Sequence, residues 1–358
     1  MGVVAKHSGT LYNANTSTNI ENCYNTGTIT AGQYAAGILA SGLKYPNSIT
    51  VNGCYNSGSI STTTAQRAQL VAFTGSTTCT LNNNFVITGD GVATAYAAHT
   101  ASANEFDSTK LETGELTLAM NKAIKDAGGE TVYYQNINEG GATNDDYPVT
   151  DPTHGYVFDE DMDKELENGE KLYSLAFYTL KTASVRLNAD GVSGLRFATA
   201  VNKADYTVLT TAGISLDFGT LITPNDYLVT AGYGFTESDC LDVNSTATGT
   251  DNFLTLKGED NDTYYYFCGS ITGIKEANYD WDYSAIGYVT INGTTVYSGQ
   301  YATRNIQYVA TAAYTDRQAT SSGAYTNEIA ANSDYAIGGV VSYSPYSTAE
   351  LERIKVYL

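Results

Sequence analysis

Basic side chains are scarce. In 358 residues, 18 Lys and Arg stand against 38 Asp and Glu, a formal net charge of −20. A nucleic-acid binder needs clustered Lys and Arg to meet phosphates, so that class is excluded. Lys and Glu are too few for a helical bundle, and the abundant Thr, Asn, Tyr and Gly make a β-rich, turn-rich composition instead. The longest mostly apolar run, Tyr34 to Leu43, is far too short to span a bilayer and is broken by Ser41 and two glycines. Five cysteines occur without a CxxC pair or a Cys/His cluster, which argues against zinc. Met1–Lys6 has no hydrophobic stretch of the secretory kind. Disorder is excluded by a hydrophobic fraction of 42%, and the length allows two or three domains with proper cores.

The first ninety residues repeat. Asn22-Cys23-Tyr24-Asn25-Thr26-Gly27-Thr28-Ile29 is echoed by Gly53-Cys54-Tyr55-Asn56-Ser57-Gly58-Ser59-Ile60. A small-residue apolar run follows each copy, Tyr34 to Ala40 and Ala68 to Phe73, and a decayed third copy begins at Cys79. A period in the range of roughly 20–50 residues marks a solenoid, and the Asn-Thr-Gly turns with short alternating runs make it a β-solenoid. Stacked coils would place Cys23, Cys54 and Cys79 in one interior column and Ile29 over Ile60 in another; a Cys23–Cys54 disulfide is the alternative to buried thiols. After the coils, Leu116, Ala119, Met120, Ala123 and Ile124 have helical spacing, with Ser102 and Glu105 as a capping box and Gly128 as the stop. Such a helix would cover the strand edge at the end of the array. Gly2–Gly9 reads as the tail of a preceding coil, so the chain is expected to be the C-terminal part of a longer one.

The Asn-Cys-Tyr-Asn-Thr-Gly motif followed by Gly-Ile-Leu-Ala resembles the GLUG-type repeats of large bacterial surface proteins, notably those of Gram-positive anaerobes. The likeness covers about residues 1–158. Gln69 departs from it where the first coil has Gly37, and the third coil lacks Tyr-Asn. Further on, Ser184-Val185-Arg186-Leu187, Gly194 to Thr199, Phe218 to Ile222 and Tyr288-Val289-Thr290 resemble an uncharacterised module that accompanies such arrays in clostridial proteins. The resemblance implies a secreted or wall-attached location and no particular chemistry.

The expected fold is therefore mostly β: a short right-handed β-helix closed by a helix, then a β-sandwich-like domain with one or two helices. The divisions are 1–101 for the repeats, 102–158 for the cap and closing segment, 159–172 for an acidic linker and 173–358 for the module. Alternating runs at Tyr173–Thr179, Ser184–Leu187, Leu195–Val201, Ile214–Ile222, Phe253–Leu256, Tyr264–Ile271, Ala285–Ile291 and Thr294–Tyr297 predict its strands. Ile306, Val309, Ala310 and Ala313 predict a helix over 304–314, and Ser347 to Glu350 starts a last short one.

Catalysis finds little support. Up to Gly89 the only acid is Glu21, so the coils cannot supply the carboxylate pair that sugar hydrolysis needs. Asp159, Asp161, Asp163 and Glu170 imitate a calcium loop, but Lys164 stands where it needs Gly, and no metal is assigned. His7, His99 and His154 sit in unrelated contexts, and no cofactor is implied. Binding is the stronger idea. Trp281, the sole Trp, lies among Tyr279, Asp280, Asp282 and Tyr283, the mixture of rings and acceptors that a sugar platform uses. A Trp packed on its own sheet is the plainer reading. The expected role is non-catalytic adhesion, display or binding of glycans or other matrix polymers, extracellular or on the cell wall, without nucleic acid or a membrane span. The alternative is a self-assembling fibre or surface layer that associates through solenoid edges. Third comes a polysaccharide-active enzyme using acids among Asp260, Asp262, Asp280 and Asp282.

Overall fold

The computed structural model describes residues 17–41, 48–63, 66–73, 78–88, 92–96, 103–163, 170–187, 193–230, 234–236, 238–245, 253–254, 256, 259–322, 336–337, 340–341 and 348–358. Strands far outweigh helices. Gly2–Gly9, His7 and His99 lie outside the described residues.

In the N-terminal part the sheets are parallel and built from segments one repeat apart. Ser17–Glu21, Ser48–Asn52 and Thr78–Asn82 lie side by side, with Ser17 opposite Ser48 and Ser48 opposite Thr78. Tyr24–Asn25, Tyr55–Asn56, Phe85–Ile87 and Asn104–Phe106 form a second ladder. Leu39–Ser41, Val71–Phe73 and Ala95–Tyr96 form a third, and Ile29 pairs with Ile60 as the spacing predicts. Between these ladders Ile38, Ile49, Val51, Leu70, Val71 and Val86 are buried together.

Turn chemistry sets the phase of each repeat. Asn22, Gly53 and Asn83 all take positive φ (54°, 62° and 53°) just before the Tyr-Asn strand or its counterpart, a conformation open to Gly and tolerated by Asn. The third repeat is therefore in phase at Asn83, and Phe85 stands opposite Tyr55. This corrects the expected thiol column at Cys79, while Cys23 and Cys54 do lie on adjacent rungs. Cys79 pairs with Ile49 in the preceding strand, and Asn84 stands next to the backbone of Cys54, accepting from its N–H at 2.9 Å and donating to Val51 O at 2.9 Å. Asn25 and Asn56 continue the polar interior: Asn25 Nδ2 donates to Asn56 Oδ1 at 2.8 Å, and each amide also donates to the carbonyl of the glycine two residues on. Gly37 makes room for this ladder, since a Cβ there would lie 2.4 Å from Asn56 Oδ1 and 2.5 Å from Gln69 O. Gln69 itself turns inward and exchanges two hydrogen bonds with the backbone of Ile87.

The closing helix runs Glu115–Asp126 and buries Leu116, Met120 and Ile124 against Tyr55, Phe85, Phe106 and Tyr133. Its expected capping box does not form. Glu105 lies in the Asn104–Phe106 strand, which extends the second ladder, and Ser102 is outside the described residues; the helix instead starts after Gly114 with no side-chain cap. Tyrosines weld residues 133–148 to the parallel ladders. Tyr24 and Tyr55 stack in parallel at 5.3 Å, Tyr133 meets Tyr55 edge-on, Tyr55 Oη donates to Pro148 O and Tyr133 Oη to Gly53 O.

Residues 159–172, expected as a solvated linker, connect the two strands of a hairpin. Gly155–Asp159 pairs antiparallel with Leu172–Ala176, and Asp159 is fully buried. The apolar Tyr156-Val157-Phe158 run carries the chain into the sheet, so the closing segment and the C-terminal part share strands. Beyond it all pairing among the described residues is antiparallel. One sheet holds Gly155–Asp159, Leu172–Leu187, Ser193–Asn202 and Tyr264–Thr272; Thr179–Ala183 contains a bulge that merges two expected strands into one. The other holds Leu241–Ser245, Leu216–Pro224, Tyr283–Ile291, Thr294–Tyr297 and Ala302–Arg304.

Phe158, Leu175, Phe177, Val201 and Phe267 of the first sheet share a core with Phe218, Val289, Ile291 and Val296 of the second. A helix that the spacing did not reveal, Lys203–Thr211, adds Tyr206 and Leu209 to it, and Asn202 caps its first N–H groups. The Ile306–Ser322 helix buries Ile306, Val309, Ala310 and Ala313 as predicted, beside Leu351 and Ile354 of the short Thr348–Ile354 helix. Ser347 lies outside the described residues.

Candidate functional site

The five residues singled out around Trp281 do not form one platform. Trp281 is 53% exposed and comes just after the turn Glu276–Asn278, with its N–H donating to Asn278 O. Tyr279 turns the other way and packs edge-on against Tyr357, ring centroids 5.0 Å apart. Tyr283 is buried in its strand. Asp282 has a structural partner: its Oδ1 accepts from Asn305 Nδ2 at 2.8 Å, and Asn305 Oδ1 in turn accepts from the N–H of Tyr308 in the first turn of the long helix. Asp280 remains exposed and, together with Tyr279, lines a shallow polar hollow beside Glu276, Gln307, Val356 and Leu358. Alternation explains the split, because the residues leave a turn and enter a strand whose first side chain faces inward.

Of the acids proposed as a third possibility, Asp260 builds a turn. Asp260 Oδ1 accepts from the N–H groups of Asp262 and Thr263 at 3.0 Å each, which holds its carboxyl below the usual range. Its neighbour Glu259 is different. Burial pushes its carboxyl up to about 7, close to Tyr266 and Tyr178. Asp159 Oδ1 accepts from Asp163 N–H. Among the described residues no three His, Cys, Asp or Glu side chains are placed to hold a metal ion.

His154 does find a partner. Its Nδ1 lies 2.8 Å from Asp145 Oδ2, which also accepts from Asn136 N–H at 2.7 Å. The bond to Asp145 raises the imidazole above its ordinary value, against the opposing effect of burial. Asp145, Asn136 and His154 fasten the 134–155 loop to itself.

A larger concavity opens elsewhere. About 540 Å³ in volume, it is lined by Tyr134, Phe235, Tyr297 and Tyr301 together with Thr295, Gln300, Lys125 and Glu130. Phe235 and Tyr301 lie 5.4 Å apart, and Tyr301 is 53% exposed. No protein family, curated protein or solved structure matches this chain. The geometry therefore stands by itself. Sequence reasoning passed over this cleft because its rings come from three separate stretches, each ordinary on its own. The one local signal was Tyr297-Ser298-Gly299-Gln300-Tyr301, two tyrosines bracketing a turn, which reads like any hairpin exit.

Proposed function

We propose that the chain is a non-catalytic extracellular or cell-surface bacterial protein that binds glycans or other matrix polymers. In this reading residues 17–106 are the end of a right-handed β-solenoid of the GLUG type, and the two antiparallel sheets are a β-sandwich module carried on it. The parallel ladders at one-repeat offsets support the first part, together with the Asn-Cys-Tyr-Asn-Thr-Gly motif that the turn residues keep in phase. The observation that carries binding is the concave, ring-lined surface on which Tyr297 and Tyr301 stand exposed, the arrangement that sugar recognition uses. Screening the chain on a glycan array tests it: a reproducible ligand is expected, and a blank array with a folded protein removes the reading.

The parallel register also favours a second reading, assembly into fibres or a surface layer, because each coil presents its neighbour with an in-register strand. Light scattering distinguishes it: concentration-dependent growth supports assembly, and a strict monomer at high concentration contradicts it.

A further inference from the structure

The cleft between Tyr134 and Tyr301 has features that narrow its ligand. Its lining joins the Lys125–Glu130 end of the closing helix to the Thr294–Tyr297 strand and the turn after it, and Phe235 forms a wall. Three of the four rings are fixed by something other than a ligand, and Tyr301 leans on one of them, Phe235, at 5.4 Å. Tyr134 is buried, and burial pushes its phenol up to about 12, so it is neutral at any physiological pH. Phe235 packs on the cluster of Leu221, Ile286 and Tyr288. Tyr297 leans edge-on against Tyr288 at 6.1 Å. A platform of anchored rings loses little side-chain freedom when it binds.

Polar groups lie beside the rings. Gln300 donates its Nε2 to Thr179 O at 2.6 Å, which fixes the amide plane and leaves Oε1, without a partner among the described residues, to accept from a ligand hydroxyl. Ser298 Oγ is already committed, accepting from Thr179 N–H and donating to Gln300 O, so this turn is rigid. The charged side chains of the lining are one Lys and one Glu. Neither an anion nor a cation finds a cluster of opposite sign, and a chain of net charge −20 repels polyanions at long range. Rings with anchored faces, fixed hydrogen-bonding groups and no charge cluster are complementary to pyranose rings, which are apolar on their C–H faces and hydroxylated at their edges.

We propose that this cleft binds an uncharged saccharide chain, with Tyr301 and Phe235 stacking on its sugar rings and Gln300 accepting from a hydroxyl. The proposal rests on the glycan-binding reading above and assigns it a place and a ligand class.

Calorimetric titration of the whole chain with cello-, xylo- and mannohexaose, and with polygalacturonate as the anionic control, tests it. At least one neutral hexaose is expected to bind, and Tyr301→Ala should weaken it at least tenfold while Tyr301→Phe holds affinity within about threefold. Tyr301 is half-exposed, so the alanine variant should fold, checked by its unchanged thermal midpoint. Binding that survives Tyr301→Ala but is lost in Trp281→Ala overturns the cleft and leaves the glycan-binding reading standing. Tighter binding of polygalacturonate than of every neutral hexaose overturns the ligand class. No binding to any of these, with a blank glycan array, overturns both.

Discussion

Asn138 and Asp205, 67 residues apart, meet in a buried hydrogen bond: Asn138 Nδ2 donates to Asp205 Oδ1 at 2.9 Å. The same carboxylate accepts from the N–H groups of Ala142 and Ala176 at 3.0 Å each. Asn138 also exchanges two bonds with the backbone of Ser174. One buried acid thus ties the closing loop, the longest strand and the first turn of the Lys203–Thr211 helix together. Burial raises its carboxyl above the ordinary range while the three donors pull it down.

Asp205→Ala should therefore be among the most damaging substitutions in the chain. It strips two buried donors and a half-buried one, Ala142 N–H, of their acceptor, and each orphaned buried donor costs about 1–3 kcal/mol. With partial relaxation a loss of about 3–5 kcal/mol is expected, read as a lower urea midpoint at unchanged slope. A loss under about 1 kcal/mol would mean that the closing loop is not held through this carboxylate.

The thiols give a second test. Cys54 is fully buried, its Sγ accepts from Cys23 N–H at 3.3 Å, and desolvation pushes it up to about 12. At pH 8 only roughly one in ten thousand of such groups is thiolate, the reactive form. Native protein treated with a maleimide should leave Cys54 unmodified. Alkylation after denaturation without reductant should add five labels, one for each free cysteine. Three labels, with Cys23 and Cys54 joined in the peptide map, would establish the disulfide instead.

Much of the architecture was legible because periodicity is a local property. The offset between Tyr24 and Tyr55 gave the parallel pairing, and the spacing of Ile306, Val309, Ala310 and Ala313 gave the long helix, since each face had only to alternate or recur. Phase was harder to read. The third repeat was aligned on Cys79 by residue identity, whereas the chain aligns Asn83 with Gly53 by backbone conformation. The Lys203–Thr211 helix escaped because only Tyr206 and Leu209 of its apolar residues are buried against the core, too few to show a period. Sites were least legible of all. Of Tyr279, Asp280, Trp281, Asp282 and Tyr283, neighbours in sequence, only Tyr279 and Asp280 line a common hollow, while the larger cleft draws its rings from three separate stretches.

That divergence predicts opposite outcomes for adjacent aromatics. Trp281→Ala removes a ring that is 53% exposed and should change stability by no more than about 0.5 kcal/mol. Tyr279→Ala removes the edge-on partner of Tyr357 and packing against the cluster around Ile306 and Leu351, and should cost about 2 kcal/mol. Chemical denaturation of both variants settles it, and equal losses would contradict the orientation of Tyr279.

The His154–Asp145 pair sets the sign of a pH dependence. The imidazole is raised in the folded chain, through its bond to Asp145 first and the nearby acids second, above the unfolded value of about 6.5. The proton thus binds more tightly to the native state than to the unfolded one. The stabilisation is fully present below pH of about 6.5 and fades as pH rises through the folded value. Because His154 is partly exposed, water screens the pair and its worth is about 0.5 kcal/mol. Stability measured in urea at pH 6 and at pH 8 should fall by about that amount more in the wild-type chain than in His154→Gln, which cannot titrate. The glutamine amide can still donate to Asp145, so a general collapse of the loop would lower both pH points equally, and only the lost difference between them reports on protonation.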